Sequence, residues 1–167
     1  MVKGLYPFGL NHYRSLKFQK LRKLISKNQR KIKVEGAYGS SLSFLLIDIF
    51  SSINQQIFYI SNTKETASYV YSDIVELIGE INCSFLPSNY RSDAKKIKDE
   101  SNIINRSKTI RDILDKETKI IVTYPEAIFE KIPDDKEIDS KTINIEKGQF
   151  LKINSINELL FDLKFEK

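Results

Sequence analysis

With one cysteine, Cys83, and one histidine, His12, the chain lacks the side chains that most metal and nucleophilic chemistry needs. Those counts exclude a disulfide framework and a Cys/His zinc site, and the placement of the single histidine leaves no plausible geometry for a Cys–His or Ser–His catalytic pair. Cys83 stands near Phe85 in an apolar stretch and reads as a small core residue, while His12 lies in a polar N-terminal loop and reads as a surface residue. Tryptophan is absent, yet 10 Phe and 8 Tyr in 167 residues suit an ordinary globular protein. At this length one compact domain buries about 70% of its unfolded surface. A long hydrophobic run is missing too. The most apolar stretch, residues 44–50, is short and interrupted by Asp48, so it does not span a bilayer, and no secretory leader pattern is present. We therefore expect a soluble, cytoplasmic protein without a membrane partner. Internal repeats and low-complexity tracts are not visible.

Acidic residues are absent from the first 34 positions, which hold ten cations: Lys3, Arg14, Lys17, Lys20, Arg22, Lys23, Lys27, Arg30, Lys31 and Lys33. The whole chain carries 27 Lys and Arg against 22 Asp and Glu, a net charge of +5, so everything after that stretch is net acidic. Such asymmetry fits either a surface for nucleic acid or an acidic partner, or an amphipathic helix over residues 13–26 whose cations are simply solvated. Leu16, Leu21, Leu24 and Ile25 supply that helix with an apolar face. The stretch resembles an organellar transit peptide only in lacking acids; it has three Arg against seven Lys and runs directly into a predicted strand, so it reads as part of the fold.

That strand is residues 31–35, which alternate, and a short glycine-bearing turn joins it to an apolar helix over residues 42–50. The turn has the build of a phosphate-cradling loop. Gly36 and Gly39 permit positive φ, and Ser40, Ser41 and Ser43 can open the helix. In a working G-x-x-x-x-G-K-[ST] loop the backbone amides wrap the phosphates, the lysine reaches the β and γ oxygens, and the hydroxyl holds Mg²⁺. Here Gly36 and Ser43 fit the pattern, Ser41 replaces the second glycine, and Leu42 stands where the lysine belongs. Without that ammonium no phosphoryl transfer is expected, although the helix N-terminus can still attract an anion. A Gly/Ser turn with no nucleotide history is the alternative.

Further along, residues 56–60 read as a buried strand. Asn62 or Thr63 caps a helix over residues 64–78 whose inward face is Ala67, Val70, Tyr71, Ile74 and Ile78, and Gly79 ends it. A strand over residues 81–86 closes at Pro87. Residues 87–101 form a polar excursion, of a kind a compact domain seldom carries without a use. A helix over residues 102–115 and an apolar strand over residues 118–123 follow, and Pro125 opens a short helical turn. Strands alternating with helices predict an α/β fold with a parallel sheet and right-handed crossovers. Turn chemistry at Pro133 marks a boundary between a domain over residues 1–133 and an appendage over residues 134–167, with a strand at 141–146, a turn at Lys147 and Gly148, and a helix at 153–163. Too few apolar groups are present there for a separate core, so the appendage reads as an incomplete α+β unit.

The pieces at residues 18–21, 34–44, 58–61, 85–91, 102–106 and 121–131, with Ala67 and Tyr69 between them, run in one order across nearly the whole chain. In that order they resemble the N-terminal region of the bacterial transcription-repair coupling factor, Mfd, itself similar to the excision-repair protein UvrB. The resemblance implies a three-layer sheet of the P-loop NTPase type (RecA-like, as in the first domain of UvrB) with a decayed phosphate loop, in agreement with Leu42. It implies a fragment, since the family's translocase motor and its modules for RNA polymerase and DNA lie beyond Lys167. It also implies a role: imitating UvrB to recruit UvrA in transcription-coupled repair, and docking on the C-terminal domain of the full-length protein to restrain it. The family's UvrA-contacting surface begins near Pro133, and its contact arginine would fall near Glu166, where the match fails.

No catalytic residue, metal site or cofactor is expected, and the chain is read as a monomer. Nucleic-acid contacts are expected, if anywhere, at Tyr90, Arg91 and Thr123, with the Tyr90–Arg91 pair stacking on a base or pinning the long loop, and the hydroxyl of Thr123 bonding a phosphate unless Thr123 to Pro125 is, as we prefer, a plain turn into the next helix. Glu126 follows a strand as a metal-binding acid would, but the paired Asp-Glu of that pattern is missing. Three functions remain open on the residues: a docking module without catalysis, an NTP-binding or hydrolysing enzyme that uses Gly36, Gly39 and Ser43, and a nucleic-acid-binding domain.

Overall fold

The computed structural model describes residues 16–27, 31–90, 99–132, 147–150, 152, 153 and 157, with side chains from residue 19 onward. The chain divides into two compact units, Met1–Lys131 and Ile132–Lys167. In the first, helices α1 (Leu16–Ser26), α2 (Ser40–Ile53), α3 (Lys64–Ile78), α4 (Glu100–Leu114) and the short α5 (Pro125–Phe129) accompany strands β1 (Ile57–Ile60), β2 (Cys83–Phe85) and β3 (Ile120–Thr123). The strands form one parallel sheet in the order β1-β3-β2, with Ile57 and Cys83 both facing Ile120 in register. The chain is therefore a mixed α/β protein.

The sheet centres on β3 because all four of its residues are apolar or β-branched, the composition of a strand covered on both faces. Ile120, Val122, Cys83, Phe85, Ile57 and Tyr59 turn one way and meet Leu46, Ile47 and Phe50 of α2 and Ala67, Val70, Ile74 and Ile78 of α3 in one hydrophobic core. Tyr71 and Phe85 pack with ring centroids 5.4 Å apart, and Phe85 and Tyr124 at 6.1 Å. Ser84, one residue out of phase, turns the other way and donates its hydroxyl to Asp112 of α4 at 2.7 Å. Helices thus lie against both sides of the sheet.

Helix α3 follows its sequence signals closely. The Thr63 hydroxyl accepts the Thr66 amide at 3.3 Å, Glu65 sits in the first turn, and Gly79 ends the helix at φ 81°, ψ 156°, a conformation only glycine adopts freely. Helix α4 starts two residues before its expected place, because the Asp99 carboxylate accepts the amides of Ser101 and Asn102. The strand expected over residues 81–86 begins only at Cys83, since Glu80–Asn82 form a 3₁₀ turn and the Asn82 amide donates back to the Ile78 carbonyl at 2.6 Å. The strand expected over residues 118–123 likewise begins at Ile120.

One expected strand is absent. Residues 31–35 carry no regular structure and do not join the sheet; Ile32 is half-buried beside α1 and α2, and its charged neighbours remain in solvent. Alternation alone had suggested the strand, but three of its five side chains are charged, and a strand beside a covered sheet would have to bury part of that charge. Among the described residues β1 accordingly forms an edge, with Phe58 49% and Ile60 55% exposed.

Of the second unit, the turn at Lys147 and Gly148 is present, with Gly148 at φ 96°. The strand expected over residues 141–146 lies outside the described residues, and of the expected helix over 153–163 only Ile153 and Asn157 are described, both helical. No described helix is long and apolar enough to cross a membrane.

Candidate functional site

Two places in the first unit can be judged as sites: the glycine turn before α2 and the C-terminal ends of the strands, where open α/β sheets hold their ligands.

The turn has the backbone freedom the sequence promised. Gly36 has φ 85° and Gly39 φ 54°, and Ser40 opens α2. Three of its amides, however, are engaged within the chain itself. The Tyr38 N–H donates to the Ser41 hydroxyl oxygen at 2.8 Å, the Ser41 N–H to the Tyr38 carbonyl at 3.2 Å, and the Leu42 N–H to the Gly39 carbonyl at 3.1 Å. A phosphate cradle needs such amides free and convergent. Ser43, where a Mg²⁺-binding hydroxyl would stand, is fully buried and donates to Asp73 of α3 at 3.0 Å. Leu42 is half-buried against the hydrophobic core. No strand precedes the turn, so the strand-loop-helix setting expected for a phosphate loop is not formed among the described residues.

At the strand ends the polar groups also satisfy one another. Thr123, one of the candidate phosphate contacts, is 0% exposed, and its hydroxyl donates to the Leu86 carbonyl at 3.0 Å, holding β3 to the segment after β2. The Ser88 N–H donates to the Tyr124 hydroxyl at 2.8 Å, and the Asn89 N–H to Glu130 Oε2 at 3.0 Å, while the Ser88 hydroxyl closes a further bond to Glu130. Under these lies Arg106 of α4, which donates to the Pro87 and Ala127 carbonyls at 2.9 Å each and to the Glu130 carbonyl at 3.3 Å. Burial lowers the Arg106 pKa, and the charge of Glu130 and the field of Tyr124 oppose that shift. The arrangement ties α4 to the segment after β2 and to α5 and its C-terminal end with one guanidinium fork.

Tyr90 is half-buried, its N–H donating to the Ser88 hydroxyl oxygen at 3.1 Å, which places it at the start of the polar excursion. Arg91 and Glu166 lie outside the described residues. Glu126 is exposed in the first turn of α5. Among the described residues no group of three or more His, Cys, Asp or Glu side chains is placed to hold a metal ion.

Compared with models of known protein families the chain matches none, and no curated protein matches it.

Sequence reasoning did not foresee which charges are buried, Asp48 and Arg106 among them. Asp48 is 1% exposed and forms a two-pronged ion pair with Arg22 of α1, one prong being Nε to Oδ2 at 2.9 Å. Arg106, 2% exposed, falls in the segment at residues 102–106. In both cases the signal was available: Asp48 interrupts an apolar helical face, and Arg106 lies at helical spacing with Asn102, Thr109, Ile110 and Ile113. A charge on an inward stripe needs a buried partner.

Proposed function

We propose that this chain is a non-catalytic docking module of the transcription-repair coupling factor type, built on a P-loop-like sheet that has lost its phosphate loop. Its role is to imitate UvrB, so that UvrA is recruited to a stalled transcription complex, and to fold back on the C-terminal domain of the full-length protein. The observation that carries this reading is the state of the turn before α2. An aliphatic Leu42 replaces the cation, Ser43 is held by Asp73, and the turn's own carbonyls take the Ser41 and Leu42 amides. Triphosphate binding there would break those bonds and supply no compensating charge. A fold of nucleotide-binding form without a nucleotide grip is best used as a surface.

The ordered set of segments described above points to UvrA as the partner. Co-elution of the whole chain with UvrA on size exclusion tests this reading. A complex that survives moderate salt and is displaced by added UvrB is the expected result. Separate elution of the two proteins at concentrations of about 50 μM, well above ordinary specific dissociation constants, would contradict it.

A further inference from the structure

Helix α1, residues 31–37 and the start of α2 enclose an open groove of about 520 Å³. Its apolar lining comes from Leu21 and Leu24 of α1, Ile32, and Leu45 of α2, and Lys20 and Lys33 stand at its margin. Two independent features make it more than a surface dip. First, residues 31–37 form no backbone hydrogen bond with any other described residue, although their sequence alternates as a strand does. Val34 is 48% exposed. A stretch that alternates as a strand does, and whose N–H and C=O groups take no backbone partner among the described residues, is a template for another strand. Second, the surroundings are cationic: Lys20, Lys23, Lys27, Lys31 and Lys33 are all exposed, and Glu35, the one carboxylate among the described lining residues, is held by Lys33 at 2.6 Å.

We propose that this groove docks an extended acidic segment of a partner protein, which adds as a strand along residues 31–35. Its backbone would pair with the free edge, its alternate apolar side chains would enter the leucine-lined floor, and its Asp or Glu side chains would meet the lysines. A nucleic acid would use the lysines but neither the apolar floor nor the backbone edge, so those two features favour a peptide. The proposal deepens the docking-module reading by giving it a surface, and it rests on that reading only in requiring a protein partner.

The test uses the whole chain and two synthetic peptides, one alternating Asp or Glu with Val or Ile, the other with Lys in place of the acids. Fluorescence anisotropy is expected to show the acidic peptide binding with a dissociation constant of the order of 10–100 μM and the basic one not binding. The exposed double variant Lys20→Glu/Lys33→Glu is expected to weaken binding about tenfold or more, and Val34→Pro, which removes one edge donor, to weaken it without reversing its charge preference. Hydrogen exchange of the Ile32 and Val34 amides is expected to slow only when peptide is added. Absence of binding, indifference to the lysine reversals, or amides already protected in the free chain would each overturn the proposal, the last by showing that the chain covers its own edge. An oligonucleotide that binds and displaces the peptide at moderate salt would reassign the face to nucleic acid. Failure of the UvrA co-elution with peptide binding intact sinks only the identity of the partner; the converse sinks only the groove.

Discussion

Asp48 shows how much rests on single residues. A carboxylate that is 1% exposed survives in an apolar helix because Arg22, itself partly exposed, grips both its oxygens. The two halves of the pair are therefore unequal. Arg22→Ala leaves a buried anion without its partner and is expected to lower unfolding free energy by about 3–5 kcal/mol in urea titration, whereas replacing both groups, as Arg22→Met with Asp48→Leu, is expected to restore most of it. Cys83 makes a second test. Burial pushes its thiol up to about 12, above the ordinary value of 9.0. Below about pH 9 the thiol is protonated folded or unfolded, and its contribution to stability is intact. Between about pH 9 and 12 only the unfolded chain releases the proton, so stability falls with a slope of about 1 kcal/mol per pH unit. Cys83→Ala is expected to remove that part of the alkaline loss; an unchanged slope would show that other groups carry it.

Helix α3 was legible in detail because its signals are local: Thr63 caps it, apolar residues recur at helical spacing, and Gly79 stops it. Gly79→Ala forces an alanine into φ 81°, ψ 156° and is expected to cost about 1–3 kcal/mol, with the loss seen in thermal melts. Strand boundaries were less legible, since a strand is completed by a neighbour that periodicity does not name. Residues 31–35 alternate while β1 is a continuous apolar run, and among the described residues β1 pairs with β3 and residues 31–35 pair with no strand. The Arg106 network was invisible for a related reason: its acceptors, the carbonyls of Pro87, Ala127 and Glu130, belong to no side-chain pattern. Arg106→Lys keeps the charge but loses the fork, and it is expected to lose at least about 2 kcal/mol of stability, approaching the loss of Arg106→Ala. Full stability of the lysine variant would show that charge alone suffices.

For the molecule as a whole, alternation of strands and helices foretold a parallel α/β sheet, and the order β1-β3-β2 with helices on both sides is that sheet. The candidate phosphate loop was legible as a turn and its missing cation as Leu42, but the inward rotation of Ser43 onto Asp73 was not, because it depends on how α2 lies on α3. That rotation also bears on rescue. Leu42→Lys supplies the ammonium while leaving the hydroxyl and the Ser41 and Leu42 amides engaged, so the variant is expected to hydrolyse no ATP in a coupled assay. The most direct measurement is calorimetric titration of the whole chain with ATP and Mg²⁺. The docking-module account predicts no binding heat up to about 1 mM nucleotide. Saturable binding at micromolar concentration, lost on replacing Gly39 with a bulky residue, would contradict it.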